Sequence, residues 1–243
     1  MQQPPVRLQK VDKNTTVVRD DLLEGGSKIR FLPCLVAGAD EVVFGGPFCG
    51  GAPVALSVLG RRSGRRVSLF YARRAVLSPR QERCRANGAV LHEVYPGYMT
   101  CVQAKARAYA AQAGALFLPL GFDVPAAEDP FVAVMRRVRR RLGGDPDEVW
   151  CCAGSGMLAR CLSRAFPDSV IHAVAVGLAS RHEAQEFGRN VVMHKCAYKF
   201  EQKTNALAPF PSCGHYDRKA WEVMERERGR GKSVLFWNVT GDD

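Results

Sequence analysis

No apolar run in the 243 residues approaches the roughly 20 residues that a membrane-spanning helix requires. The start, Met1 to Lys10, is polar and proline-rich, so no signal peptide is expected. Metal-binding patterns are missing as well. The nine cysteines are scattered and odd in number. None forms a Cys-x-x-Cys pair or a Cys/His cluster at zinc spacing, so no metal is expected. Free thiols in a reducing cytoplasm follow. Cys151-Cys152 stand in an apolar run, where a buried strand explains them. There is no internal repeat. Acidic residues are in deficit, 24 against 35 Lys and Arg, which leaves a formal charge of +11. Arginine supplies most of it, in clusters at residues 61–66, 73–74, 136–141 and 226–230. Such an excess attracts polyanions and favours arginine–phosphate contacts. Solvated helix faces in a basic proteome account for it equally well.

What is present is a chain able to bury a core, with 47% hydrophobic residues in one large domain or two small ones. Strand-like and helix-like segments alternate. Strands are expected at Glu41–Phe44, Arg66–Tyr71, Ala89–Val94, Ala115–Leu118, Glu148–Ala153, Ser169–Val176 and Ser233–Trp237. Helices are expected at Pro53–Leu59, Ser78–Ala86, Thr100–Ala113 with Thr100 as cap, from Ala127 to Leu142, at Met157–Phe166 and at Asp217–Arg228. Residues 178 to 215 show few clear elements. The repetition is that of a parallel sheet covered on both faces, an α/β fold.

Five segments carry possible chemistry. Asp20-Asp21 precede Gly25-Gly26-Ser27-Lys28; a sheltered lysine there can lose its proton and attack a carbonyl, while a surface loop is the plain alternative. Gly45-Gly46-Pro47-Phe48-Cys49-Gly50-Gly51 joins a strand to a helix and can offer backbone donors to a carboxylate. Cys49 is either a reactive thiol at a helix start or a small buried residue in a turn. Gly154-Ser155-Gly156-Met157 follows a strand and opens a helix, the setting of a phosphate cradle or of an ordinary tight turn. It lacks the lysine of a Walker loop. Tyr216 precedes a helix and can serve as a proton donor or acceptor, or as a packed ring. Asn238, Thr240 and Gly241 follow the last strand, where ligands gather in open α/β sheets.

Taken in order, these segments resemble the fold-type-II enzymes dependent on pyridoxal phosphate (PLP), most of all the aminocyclopropane-carboxylate deaminase and D-cysteine desulfhydrase branch. That branch has an acidic pair followed by Gly-Gly-Asn-Lys, here Asp20-Asp21 and Gly25-Gly26-Ser27-Lys28. Its Gly-Gly-x-x-Ser-Asn-His corresponds to Gly45 through Gly51, and its Gly-Ser-Gly-Gly-Thr loop to Gly154 through Leu158. Tyr-x-Gly-Lys-Ala corresponds to Tyr216 through Ala220, and His-Thr-Gly-Gly to Asn238 through Gly241. The resemblance implies two open twisted parallel-sheet α/β domains with the cofactor between them. Residues 1–45 and 146–243 would form the large cofactor-binding domain, and 46–145 the small one. By position, Lys28 would hold the PLP aldehyde. Gly154, Ser155, Gly156 and Met157 would bind its phosphate, and Thr240 its pyridine nitrogen. Tyr216 would be an acid or base near the substrate carbon or would stack near the cofactor ring, and Cys49, Gly50 and Gly51 would face the substrate. A homodimer is implied.

The resemblance implies a PLP-dependent lyase breaking a bond at an α-carbon, by decarboxylation or elimination. The family's Ser-Asn-His stands here as Cys49-Gly50-Gly51, without the side chains that hold a substrate carboxylate. Together with the charge of +11, this suggests a larger, anionic substrate. One such substrate is an amino-acid group on a modified thymine in DNA; some bacteriophage DNA-hypermodification pathways use PLP enzymes that look similar. The base would be flipped from the duplex and the arginines would bind phosphates. The site of action would be the cytoplasm, the host's if the chain is phage-encoded. The alternatives are a deaminase or desulfhydrase of free amino acids, and a catalytically inactive nucleic-acid-binding homologue.

Overall fold

The structure is a computed structural model that describes residues 3–177 and 183–241. From the N-terminus the elements are β1 (Leu8–Lys10), β2 (Thr15–Arg19), 3-10 turns at Asp20–Leu22 and Gly26–Arg30, and α1 (Leu32–Leu35). There follow β3 (Glu41–Gly45), α2 (Gly51–Ser63), β4 (Arg66–Ala72), α3 (Pro79–Ala86), β5 (Val90–Val94), α4 (Met99–Ala113) and β6 (Leu116–Leu118). The chain continues with α5 (Pro125–Leu142), β7 (Glu148–Ala153), α6 (Met157–Ala165), β8 (Val170–Ala175), β9 (Val191–Lys195), α7 (Asp217–Glu227) and β10 (Val234–Asn238). Two compact units result: Glu24–Ala127, and Gln2–Leu23 with Glu128–Asp242. The sequence boundaries lie elsewhere, at 45/46 and 145/146. β3 pairs with β4 and β6, which ties residues 41–45 to the smaller sheet.

The larger sheet has the strand order β1-β2-β10-β7-β8-β9. Every pair is parallel except β1 with β2. Its central strands read as unbroken apolar runs because both faces are covered. Side chains alternate across the sheet. Trp150, Val174 and Phe236 pack with Trp221 and Met224 of α7. Trp237 points the other way and meets Phe131 of α5 edge-to-face, with ring centroids 5.9 Å apart. The parallel register brings the carboxyl ends of β2, β10, β7 and β8 to one edge. This edge therefore displays residues 20–21, 239–241, 154–156 and 176–177.

The smaller sheet has the order β5-β4-β3-β6 and is parallel throughout. Val43, Phe70 and Val94 pack against Val102, Ala106 and Ala110 of α4. The small side chains let this helix come close. A Cβ at Gly45 would lie 3.1 Å from the Val102 carbonyl oxygen.

The α/β expectation and its strand order along the chain hold. Thr100 is not a cap: α4 starts at Met99, since Val102 already donates to the Tyr98 carbonyl at 3.0 Å. Ser78 does cap α3, in a reciprocal capping box with Gln81. The short strands β1, β2 and β9 have no counterpart in the sequence reading. Part of the stretch 178 to 215, residues 178–182, lies outside the described residues.

On β8 and β9, His172 stacks on Trp150 with centroids 4.1 Å apart. Its Nδ1 lies 2.8 Å from Nε2 of His194, whose Nδ1 is 2.8 Å from Glu227 Oε2. Burial holds the His172 imidazole down at about 4, against the opposing pull of Glu148. The folded form thus keeps His172 neutral, while the unfolded chain takes up a proton near pH 6.5. Stability should be full above pH 6.5 and fall as pH drops from 6.5 towards 4. Screening by solvent reduces the effect to about 1–2 kcal/mol. Chemical denaturation of wild type and His172→Gln at pH 7.5 and pH 5 measures it. The variant should show the smaller loss; equal losses would remove His172 as the cause.

Candidate active site

The carboxyl edge of the larger sheet is built around the turn between β7 and α6. Gly156 is left-handed, with φ +95°, and serves as the N-cap of α6 without any capping side chain. The first-turn N–H groups of a helix have no intrahelical acceptor, so they point outward as donors. A Cβ on Gly156 would come within 2.0 Å of the Phe187 ring. The neighbouring loop after β8 presses on the same turn: a Cβ on Gly177 would lie 3.1 Å from the Gly154 carbonyl oxygen. Glycine is needed at both points for the backbones to meet. Ser155 is half-buried beside them, whereas Met157 is buried in the core and can offer only its backbone.

Tyr216 sits at the N-cap of α7. Its ring lies over the same turn, with Cε1 3.9 Å from where a Gly154 Cβ would stand. Phe200 holds the ring edge-to-face at 5.5 Å. The next residue, Asp217, is fully buried. The Cys152 thiol donates to its Oδ1 at 3.1 Å, and the Thr240 backbone N–H donates to its Oδ2 at 3.1 Å. Asp217 thus ties the end of β7, the start of α7 and the loop after β10 together. The Thr240 hydroxyl makes only a long hydrogen bond, donating to the Gly241 carbonyl at 3.5 Å, and can exchange it for a ligand. The structure therefore brings Gly154, Ser155, Gly156, Tyr216 and Thr240 to one edge of one unit.

Two buried polar atoms there lack a hydrogen-bond partner, Asn238 Oδ1 and Ser212 Oγ. The Asn238 amide nitrogen donates to the Pro211 carbonyl at 2.8 Å. Burial, with Asp217 nearby, pushes the Cys151 thiol well above its ordinary range, which keeps it inert. Lys219 is also buried, but its ammonium donates to the carbonyls of Lys199 and Phe200 at 2.9 and 3.3 Å. It is a structural lysine. Of the acidic pair, Asp20 is buried, and Asp21 accepts two hydrogen bonds from Arg19 at 2.8 and 2.7 Å. No group of His, Cys, Asp and Glu able to hold a metal occurs among the described residues.

The smaller unit carries Lys28. Gly25 and Gly26 have φ +96° and +68°, and Lys28 follows, half-buried in the 3-10 turn Gly26–Arg30. The turn is docked on α2: a Cβ on Gly25 would lie 3.0 Å from the Ala55 Cα. Glu24 accepts from Arg61 and Arg62 of α2 at 2.5 and 2.8 Å. These bonds fix where Lys28 starts. Cys49 is buried, and its carbonyl accepts from the buried Arg80 at 2.9 Å. Gly50 caps α2 with backbone alone. The plain reading of Cys49, a small residue in a tight turn, matches its burial.

These residues match a phosphorylated pyridine aldehyde in kind. The N–H groups at the start of α6 are donors that no capping side chain engages, Thr240 offers a hydroxyl, and Lys28 is an amine on a fixed turn. The fold and this edge define a class, the α/β enzymes that bind an anionic cofactor at strand ends. The chain belongs to the pyridoxal-phosphate dependent enzyme family, which matches residues 15–235. Among solved structures it is similar to an aminocyclopropane-carboxylate deaminase homologue, with TM-score 0.81 and 18% identity over 99% of this chain and 90% of that one. It is also similar to a threonine deaminase from T.th., with TM-score 0.71 and 13% identity over 94% and 87% of the two chains. A hydrogen sulfide-producing enzyme from Fusobacterium nucleatum gives TM-score 0.70 and 11% identity over 98% and 94%. No curated protein matches the sequence.

Asp217, Gly177 and Phe187 had no role in the sequence reading. An acidic residue in the first turn of α7 was the available signal for Asp217. Phe187 had none, because its contact with Gly156 joins distant segments.

Proposed function

We propose that this PLP-dependent enzyme is a lyase that breaks a bond at an α-carbon, by decarboxylation or elimination, on an amino-acid group carried by a modified thymine in DNA. Bound pyridoxal phosphate supplies the electron sink for that bond. Lys28 would hold the cofactor aldehyde, and its amine is the group that would carry the proton at the α-carbon. Gly154, Ser155 and Gly156 would hold the phosphate through backbone N–H groups, and the Thr240 hydroxyl would serve the pyridine nitrogen. Tyr216 donates or accepts a proton. The backbone at Cys49, Gly50 and Gly51 faces the substrate and leaves room for a bulky one.

The observation that carries the substrate reading is the outer face of α5. Arg136, Arg137 and Arg140 are exposed there, and among the described residues none of them has a carboxylate partner. Arg139, by contrast, is tied down by Asp145 and by Asp168 at 3.6 Å. Three guanidinium groups without carboxylates on neighbouring turns suit a phosphate backbone. The resemblance to deaminases and to a sulfide-producing enzyme favours a second reading, turnover of a free amino acid.

Nucleoside mass analysis of aminoalkyl-thymine DNA, with and without the holoenzyme, separates the two. A mass loss on the modified nucleoside is expected. Turnover of free D-cysteine or β-substituted alanines, with the DNA unchanged, would replace the first reading by the second.

A further inference from the structure

The loops at the carboxyl ends of β3, β4 and β5 form one surface of the smaller unit. Arg73 N donates to the Val94 carbonyl at 2.9 Å, so the loop after β4 runs beside the loop after β5. The Ser78 hydroxyl donates to the Phe48 carbonyl at 3.2 Å, which joins the loop after β3. A Cβ on Gly97 would lie 2.8 Å from Ala72 Cβ, so the Tyr95–Tyr98 turn is seated closely.

This surface displays aromatic rings that a soluble protein ordinarily covers. Tyr95 is 77% exposed and Tyr98 is 72% exposed, and no other aromatic side chain among the described residues is as open. Arg73 and Arg74 are exposed next to them. The Arg74 guanidinium carbon lies 3.8 Å from the centroid of the Phe48 ring, a close cation–π contact. Arg73 has only a loose, solvent-exposed pairing with Glu93 at 3.7 Å. Phe48 is adjacent in sequence to Cys49.

Aromatic faces interleaved with arginines that carboxylates barely neutralise suit one partner chemistry, unstacked bases on a phosphate chain. Paired bases in a duplex hide their faces. We propose that this surface binds single-stranded or locally opened nucleic acid, with bases stacking on Tyr95 and Tyr98 and phosphates meeting Arg73 and Arg74. This rests on the reading of a DNA-borne substrate and names the state in which that DNA is held.

The test is fluorescence anisotropy of the holoenzyme with an end-labelled oligothymidine of about 12 nucleotides, and with a matched duplex, across a salt series. The single strand should bind more tightly. The pair Tyr95→Ala and Tyr98→Ala should weaken its binding at least about tenfold, and the pair Tyr95→Phe and Tyr98→Phe should restore it. The pair Arg73→Ala and Arg74→Ala should reduce the slope of log affinity against log salt by about 1.4. Unchanged single-strand binding by the alanine pair would overturn this surface and leave the DNA-substrate reading standing. So would preference for the duplex, or loss of a dimer in sedimentation as the only effect of the tyrosine variants. No binding of either DNA at low salt would overturn both.

Discussion

Lys28→Ala should lower turnover by at least about 10²–10⁴-fold and abolish the visible absorption of the bound cofactor. The reason is chemical. An amine can hold an aldehyde covalently and then shuttle a proton; a methyl group can do neither. Lys28→Arg should fail nearly as badly, because a guanidinium keeps its proton and its charge. The fold should survive both changes, since Lys28 is half-buried on a turn held by Gly25 and Glu24. Thermal unfolding checks that point, and steady-state turnover measures the loss. Substantial activity in Lys28→Arg would mean that this position supplies only charge.

Gly156→Ala should have the next largest effect. Its φ of +95° suits glycine, and an alanine there is strained by about 1–2 kcal/mol. The added Cβ would also stand 2.0 Å from the Phe187 ring, so the ring or the turn must move. Overpacking of this kind adds about 1–3 kcal/mol. A moved turn no longer aims its N–H groups at one phosphate, and the cofactor Kd should rise about 10- to 100-fold. Equilibrium dialysis against PLP measures this. Pairing Gly156→Ala with Phe187→Ala separates the two causes. The double variant should recover affinity if the ring contact dominates, and should not if the backbone conformation does.

Much of this site was legible because its parts are local. Gly154-Ser155-Gly156 follows an apolar run and precedes a helical period, so strand, turn and helix could be read from consecutive residues. Ser78-Pro79 signalled its helix start in the same way. The rest depends on distant partners. Asp217 draws its role from Cys152 and Thr240, which lie 65 and 23 residues away in sequence. Lys219 matched a motif lysine, yet only the carbonyls of Lys199 and Phe200 show that it is structural. β1 and β9 are short and partly polar, so their pairing with β2 and β8 decides them, not their composition. Thr100 was a plausible cap by residue type, but the helix had already begun.

No helix among the described residues is long and apolar enough to span a bilayer.

The central claim is that Lys28 is the lysine that carries the cofactor. Borohydride reduction of the holoenzyme, followed by peptide mass mapping, tests it most directly. One pyridoxyl adduct is expected, on the peptide containing Lys28, and none in Lys28→Ala. An adduct on Lys219 or another lysine, or no adduct in PLP-saturated wild type, would contradict it.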